Sequence, residues 1–282
     1  MIVDRAMRKL LLVSLVLVVA VSAGCSINPV SGERQLILIP ESQEIAMGQQ
    51  AAPGFVKEFE GEVPDVTLQA YVEQVGQKVA AVSDRPKLPY KYRLVKSKVP
   101  NAFALPGGEI FITAGLMSLM DDERELAAVL GHETGHCCAK HNVLGMQRQM
   151  GVSVLAEIAS RATGQSAAGD VAKVIGSVAN LKYSRDDEYQ ADHLGIKYMA
   201  KAGYNPWGMI ELLTILLNMS ESEPGTLEEM FQTHPLSSKR IAEAKATIEK
   251  DYASHRQTTP DPNKARFMAM KARLLRIMPK GK

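Results

Sequence analysis

The segment His132-Glu133-Thr134-Gly135-His136 limits what this chain can fold into more than any other feature of its sequence. Residues four positions apart lie on one face of an α-helix, so both imidazole rings can reach a single metal ion. Glu133 then lies beside the ion, where a carboxylate can take a proton from a water molecule. The motif therefore predicts a zinc site on a helix, but because it also arises by chance, a third ligand has to support it.

Glu188 is the third ligand that the sequence offers. It lies in the segment from Ser184 to Asp192, which is also predicted to be helical. Glu188 and Asp192 are four positions apart and share a helix face. One carboxylate can therefore bind the metal while the other accepts a hydrogen bond from a ligand histidine. A solvated acidic helix face would explain the same pair, but the presence of the histidine motif in the chain favours the ligand interpretation.

The spacing of apolar residues predicts a helix-dominated α+β domain with a small sheet, rather than an alternating parallel fold. Helical spacing occurs over residues 41–59, 65–82, 122–150, 180–201 and 206–219. Two strands are predicted, at 90–95 and at Glu109–Thr113, the second after a Pro-Gly-Gly breaker. Residues 151–178 are rich in small side chains and form either a mobile lid or packed helices.

Composition supports a folded chain and argues against a nucleic-acid partner. The 282 residues are 46% hydrophobic and 23% charged, which allows a sizeable core. The formal net charge is only +2, and no basic block is long enough to form a nucleic-acid surface.

The first 24 residues are predicted to be a signal peptide of the lipoprotein type. Basic residues precede an apolar run that is too short to span a bilayer comfortably. Small residues then lead to Cys25, as in a bacterial lipobox, so we expect Cys25 to be lipidated and to begin a tether over 25–40. Ser26 favours the periplasmic face of the outer membrane over the inner membrane. An ordinary signal peptide or an uncleaved anchor is the alternative.

Several further motifs occur in order along the chain and carry a family resemblance. They are Asn28–Leu36, Asn101–Gly108, His132–His136 with His141, Ser184–Asp192, Ala202–Pro206, and Thr233–Leu236 with Arg240. In these motifs and their spacing, the chain resembles the HtpX- and CAAX-prenyl-protease-like zinc metallopeptidases of peptidase family M48, and specifically their exported lipoprotein branch.

The resemblance implies a gluzincin-type metalloprotease domain over residues 41–250. It implies one Zn²⁺ held by His132, His136 and Glu188, with Glu133 as catalytic base and Asp192 supporting a ligand. The expected activity is endopeptidase cleavage of misfolded or unassembled envelope proteins, which is the function of a quality-control protease in the periplasm. Two alternatives remain: a chaperone-like assembly factor with a latent zinc site, and a purely structural zinc with four permanent protein ligands.

His234 and Arg240 are further candidates for the catalytic site. A His-Pro pair in a loop is often structural, but the resemblance suggests that His234 either approaches zinc as a movable fourth ligand or stabilises the oxyanion. Arg240 either stabilises the tetrahedral intermediate or pairs with a carboxylate near the site. The position of His141 on the helix predicts a hydrogen-bonding residue rather than a ligand.

Two other segments have predicted roles. Asn101, Ala102 and Phe103 are expected to form an exposed strand edge that pairs with an extended peptide substrate, with an ordinary hairpin as the alternative. The tail at 251–282 is polar and then basic and amphipathic, so it either lies on a membrane or packs on the domain.

Overall fold

The computed structural model describes residues 25–278 apart from Leu38, 163–167, 223–224 and 226. The predicted signal peptide therefore lies outside the described residues. The helices of the described part are α1 (Glu41–Glu58), α2 (Val66–Ala80), α3 (Ala114–Leu119), α4 (Glu123–Cys138), α5 (His141–Met150), α6 (Val152–Ala162), α7 (Ala168–Ala179), α8 (Arg185–Lys201), α9 (Trp207–Ser222), α10 (Glu228–Thr233), α11 (Ser238–Asp251) and α12 (Lys264–Ile277).

The strands form two small sheets. They are β1 (Cys25–Ile27), β2 (Arg34–Leu36), β3 (Lys91–Val95), β4 (Ala102–Ala104) and β5 (Glu109–Thr113). β1 and β2 form an antiparallel hairpin, and the second sheet has the order β3-β5-β4, with β3 parallel and β4 antiparallel to β5. The predicted helix-dominated α+β fold with a small sheet is confirmed.

Helix α4, which carries the histidine motif, lies at the centre of the domain. All its residues are buried, and α8 is the element that packs most extensively against it. Glycines allow this close approach. A Cβ atom at Gly195 would lie 3.1 Å from the backbone nitrogen of His132, and one at Gly131 would lie 3.3 Å from the Cα of Gly195. The two helices predicted to hold the metal are therefore neighbours.

The single helix predicted over residues 122–150 is wrong, because the chain turns after Cys138. Lys140 has a left-handed backbone with φ of 59°, and its Nζ pairs with Glu44 Oε2 at 3.2 Å. Asn28 donates its side-chain amide to the carbonyl of Ala139 at 3.2 Å. Apolar spacing continues through this turn and so does not reveal it.

The described part of residues 151–178 forms two helices, α6 and α7, that pack on the domain. Residues of α6 and α7 share a hydrophobic cluster with Phe55, Phe103 and Phe111. β4 is an edge strand by its hydrogen bonding, yet Asn101, Ala102 and Phe103 are all buried. The expectation that this strand edge is exposed is wrong for this conformation, because α7 packs against β4.

The C-terminal tail packs on the domain rather than standing apart from it. Phe267 and Leu274 of α12 are buried in the main core. Asp261 Oδ2 accepts a hydrogen bond from the backbone nitrogen of Glu123 at 2.9 Å and so caps the first turn of α4. Within the described residues, we find no helix with the length and apolar character needed to cross a bilayer.

Candidate metal centre

Helix α8 begins just before Glu188 because of its capping residues. Ser184 accepts a hydrogen bond from the backbone nitrogen of Asp187 at 3.1 Å, and Asp187 accepts one from the backbone nitrogen of Ser184 at 2.9 Å. This reciprocal cap fixes the helix start. It places Glu188 in the first turn, against α4.

Four side chains converge at this point with spacings suited to a tetrahedral metal. They are His132, His136, Glu188 and His234, and all are buried. His132 Nε2 lies 3.0 Å from His136 Nε2 and 3.3 Å from His234 Nδ1. Glu188 Oε1 lies 3.3 Å from His136 Nε2 and 3.0 Å from His234 Nδ1. Ligands bound at 2.0–2.1 Å around a tetrahedral ion are about 3.3 Å apart, so these spacings fit one.

Hydrogen bonding assigns the proton of His132 to Nδ1. This nitrogen lies 2.9 Å from Asp192 Oδ1. An ionised carboxylate only accepts hydrogen bonds, so Nδ1 is the donor. In the neutral ring, Nε2 then carries a lone pair that points into the cluster.

The hydrogen-bond partners of His136 likewise place its proton on Nδ1. His141 donates from Nε2 to Gln190 Oε1 at 2.8 Å, which leaves its Nδ1 as an acceptor. His136 Nδ1 lies 3.0 Å from that acceptor and donates to it. Burial holds the pKa of His136 well below its ordinary value, so the ring is neutral and its Nε2 is free of a proton.

The Nε2 atoms of His132 and His136 thus lie 3.0 Å apart, and when both rings are neutral their lone pairs face each other. Such an arrangement is repulsive on its own and becomes favourable when a cation lies between the rings. The buried carboxylate of Glu188 adds the negative charge that such a cation needs. The donor set thus fits a metal ion, and its chemistry of two imidazoles and one carboxylate suits zinc.

Arg240 forms ion pairs with two carboxylates of the site. Its guanidinium donates from Nε to Asp192 Oδ2 at 2.8 Å and from Nη2 to Asp192 Oδ1 at 2.7 Å, and it also contacts Glu188. Burial alone would raise the pKa of Asp192, but Arg240 and His132 hold it below its usual range. Asp192 therefore stays ionised and can fix the ring of His132, which is the supporting role that sequence spacing predicts.

Glu133 is placed beside the converging ligands without joining them. Its Oε1 lies 3.8 Å from His234 Nε2, and its buried Oε2 has no hydrogen-bond partner among the described residues. Burial raises the pKa of Glu133 above its ordinary value, against the opposing effect of His234 and His132. A raised pKa makes a carboxylate a stronger base, which suits a group that has to take a proton from water.

His234 lies inside the cluster because the chain from α10 folds back over the site. The backbone nitrogen of Tyr183 donates to the carbonyl of Thr233 at 3.1 Å and ties the two segments together. Burial alone would lower the pKa of His234, but the carboxylates of Glu188 and Glu133 raise it. His234 thus lies close enough to His132, His136 and Glu188 to share an ion with them.

The structure does not bring every predicted residue into this cluster. The backbone nitrogen of Asn101 donates to Thr113 Oγ1 at 2.9 Å, within the sheet. Cys25 lies in β1 opposite Leu36.

Two neighbours of the site were missed by sequence reasoning. The ring of Tyr183 stacks on His136 with centroids 3.9 Å apart, and Gln190 holds His141. Tyr183 lies just before α8, and spacing along that segment does not indicate its contact with a histidine on another helix. Gln190 lies two residues after Glu188, and spacing on α8 alone does not indicate its contact with a histidine on another helix.

A second group of carboxylates occurs at the far end of α4. Asp122, Glu125 and Glu211 lie close enough to share an ion. Arg124 already neutralises part of this group, since its Nε lies 3.0 Å from Asp122 Oδ2 and 2.7 Å from Glu211 Oε2. Burial raises the pKa of Glu125 and that of Glu211 to about 7. This group is therefore a weaker candidate for a metal than the histidine cluster.

Comparison with known proteins agrees with the geometry. Residues 67–248 match the model of a family described as Peptidase family M48. The beta-barrel assembly-enhancing protease of Yersinia pestis is 28% identical, over 83% of this chain and 48% of its own length. The mitochondrial metalloendopeptidase OMA1 of Schizosaccharomyces pombe is 30% identical, over 76% and 63%. Metalloprotease LoiP of Escherichia coli is 32% identical, over 54% and 60%. The chain thus spans 48% to 63% of the length of these relatives.

Proposed function

The chain belongs to peptidase family M48, and from that premise we propose that it is a zinc-dependent endopeptidase. The observation that carries the proposal is the convergence of buried side chains on one point, with the Nε2 atoms of His132 and His136 3.0 Å apart. Glu188 completes the set, and the carboxylate of Glu133 lies beside it with a free oxygen. Replacing Glu133 by Gln tests the proposal most simply, since it should abolish cleavage of a denatured protein substrate.

His132, His136 and Glu188 are the residues that would hold the ion. When bound, zinc supplies Lewis acidity, because it lowers the pKa of water to ~7 and polarises a peptide carbonyl. Asp192 holds the His132 ring through Nδ1, and His141 holds the His136 ring in the same way. These contacts keep both Nε2 atoms directed at one point.

Glu133 is the group that moves the proton. Its buried Oε2 accepts a proton from the attacking water, and the same carboxylic acid then donates that proton to the leaving amine. Burial raises the pKa of Glu133, which makes its carboxylate a stronger base for the first step. Since Arg240 is committed to Asp192 and Glu188, its role in this mechanism is to position those carboxylates.

His234 is proposed to close the site in a latent state. Its Nδ1 lies 3.0 Å from Glu188 Oε1 and 3.3 Å from His132 Nε2, a separation typical of a fourth ligand. A substrate carbonyl and water need that position, so His234 has to leave before cleavage.

Replacing His234 by Ala is expected to raise the rate of cleavage of an unfolded protein substrate. If the form closed by His234 dominates, kcat/KM rises by about threefold or more, because a larger fraction of the molecules has a site open to substrate. His193→Ala, an exposed histidine on α8, is the matched control and should not change the rate. A fall in rate would instead indicate oxyanion stabilisation. Loss of both zinc and stability would indicate a permanent structural site.

The proposed substrates are misfolded or unassembled proteins of the bacterial envelope, and outer-membrane proteins in particular. Support comes from the name of the beta-barrel assembly-enhancing protease, which is 28% identical to this chain. A chaperone-like role with a latent zinc site is the second candidate. The closed position of His234 and the burial of β4 favour it, since both hinder access of a peptide.

The proposed location is the periplasmic face of the outer membrane, with a lipid on Cys25 as anchor. Cys25→Ala should move the protein from the membrane fraction to the soluble fraction of lysed cells, because its attachment then lacks the acyl chains. Ser31→Ala, an exposed residue of the same N-terminal segment, should stay with the membrane. Membrane retention of Cys25→Ala would refute the lipid anchor.

A further inference from the structure

The segment that follows Cys25 is a folded hairpin rather than a free tether. Cys25 lies opposite Leu36 in the pairing of β1 with β2. Asn28 shapes the turn between the strands, because its Oδ1 accepts hydrogen bonds from the backbone nitrogens of Val30 at 2.9 Å and Ser31 at 3.2 Å. The position proposed to carry the lipid is therefore part of an element with its own hydrogen bonds.

This hairpin is fixed to the end of the helix that carries the histidine motif. Asn28 is only 2% exposed, and its amide donates to the carbonyl of Ala139 at 3.2 Å, just past the last residue of α4. Gln147 of α5 donates to the carbonyl of Leu36 at 3.0 Å. Ile37, directly after β2, is buried in a hydrophobic cluster. The hairpin is thus attached to the domain at its turn and at its exit.

The short connection limits how far the metal centre lies from a lipid on Cys25. Three residues of fully extended chain reach roughly 10 Å, which bounds the separation of Cys25 from Asn28 even if β1 opens. His136 lies three residues before Ala139, a helical rise of about 4.5 Å. Together with the contact between Asn28 and Ala139, these lengths place His136 on the order of 20 Å from the lipidated cysteine.

The surface of the hairpin suits a bilayer. Leu36 is 46% exposed, and it lies opposite the residue proposed to carry the acyl chains. A single exposed leucine needs no partner by itself, but a membrane surface that holds those chains also covers this one. The charged residues of the hairpin, Glu33 and Arg34, are exposed and cancel, so anionic lipids do not repel it.

We propose that this hairpin lies against the lipid surface and holds the C-terminal end of α4 towards it, so that the protease cleaves polypeptides presented at the membrane rather than chains free in the periplasm. The inference rests on the proposed lipid anchor and on the proposed endopeptidase function. It adds the orientation of the domain and the physical state of its substrates.

Fluorescence resonance energy transfer to the membrane tests the orientation. One donor is placed on Ser31→Cys in the hairpin turn, and another on Thr259→Cys, whose carbonyl accepts a hydrogen bond from Arg124 at the start of α4. Both positions are exposed, whereas Cys137 and Cys138 are fully buried, so labelling is specific. The lipidated protein is placed in vesicles of phosphatidylethanolamine and phosphatidylglycerol with a headgroup-labelled acceptor. Transfer should be higher from the hairpin label, since the ends of α4 are about 24 Å apart.

A longer connection adds a second readout. A flexible Ser-Gly linker inserted directly after Cys25 keeps a serine next to the cysteine and leaves the hairpin sequence intact. It should equalise transfer from the two labels. It should also lower the ratio of kcat/KM for a vesicle-bound unfolded polypeptide over the same polypeptide in solution by about threefold or more, because the effective concentration at the membrane falls. The same linker appended after Lys282 is the matched control and should change neither readout.

The outcomes separate the inference from the proposals on which it rests. Equal transfer from the two labels without the linker, or an unchanged ratio with it, overturns the orientation and leaves the peptidase in place. Absence of a lipid on Cys25 in mass spectrometry overturns the anchor and this inference together. Absence of zinc-dependent cleavage of either substrate overturns the peptidase, while energy transfer still decides the orientation.

Discussion

Replacing Glu133 by Gln should abolish peptide cleavage while leaving the fold and the zinc content unchanged. Glutamine has the same shape but cannot accept and return a proton, so the general base is lost. General acid–base catalysis contributes about 10²–10⁴-fold to the rate of the chemical step. We therefore expect kcat to fall by about 100-fold or more. The measurement is cleavage of a denatured protein, with zinc determined by mass spectrometry on the same sample.

Glu125→Gln is the matched control for this variant. Glu125 is buried on the same helix, two turns before Glu133, and burial raises the pKa of its carboxyl to about 7. Glutamine resembles its protonated form, so the control should cleave at nearly the wild-type rate. Full activity of Glu133→Gln would refute the mechanism. A client-protective effect in cells that survives the loss of cleavage would support the chaperone-like role.

Replacing Glu188 by Gln should remove the metal together with the activity. The carboxylate is the anionic ligand among two neutral imidazoles, and a neutral amide is a poor zinc ligand. Burial alone would raise the pKa of Glu188, but His234 and Arg240 hold it well below its usual range, so the native group is ionised. We expect zinc affinity to fall by at least about 100-fold, measured by competition with a chromogenic chelator.

Asp186→Asn controls for the change of charge on α8. Asp186 lies two residues before Glu188 and is exposed, so its replacement should affect neither zinc binding nor cleavage. Unchanged zinc affinity in Glu188→Gln would show that the ion is held elsewhere.

The sequence predicts which residues of α4 and α8 converge in the candidate site because each signal is local. His132 and His136 share a helix face by their spacing, and the same rule pairs Glu188 with Asp192. The strands at 91–95 and 109–113 likewise follow from residue pattern and breakers. These are properties of neighbouring residues, so one segment is enough to reveal them.

Features that depend on tertiary contacts were not predictable in this way. The turn at Lys140 is held by Glu44 and Asn28, which are about a hundred residues away in sequence. The burial of Phe103 depends on helices from 151–178 that pack over β4. His234 reaches the ligands only because the chain beyond α10 returns to α8.

The most direct test of the metal centre is anomalous diffraction from crystals of the zinc-loaded protein, measured on both sides of the zinc absorption edge. We predict one strong anomalous peak at about 2.0–2.2 Å from His132 Nε2, His136 Nε2 and a carboxylate oxygen of Glu188. A peak among Asp122, Glu125 and Glu211 instead, or none at the histidines, would contradict the proposed metal centre.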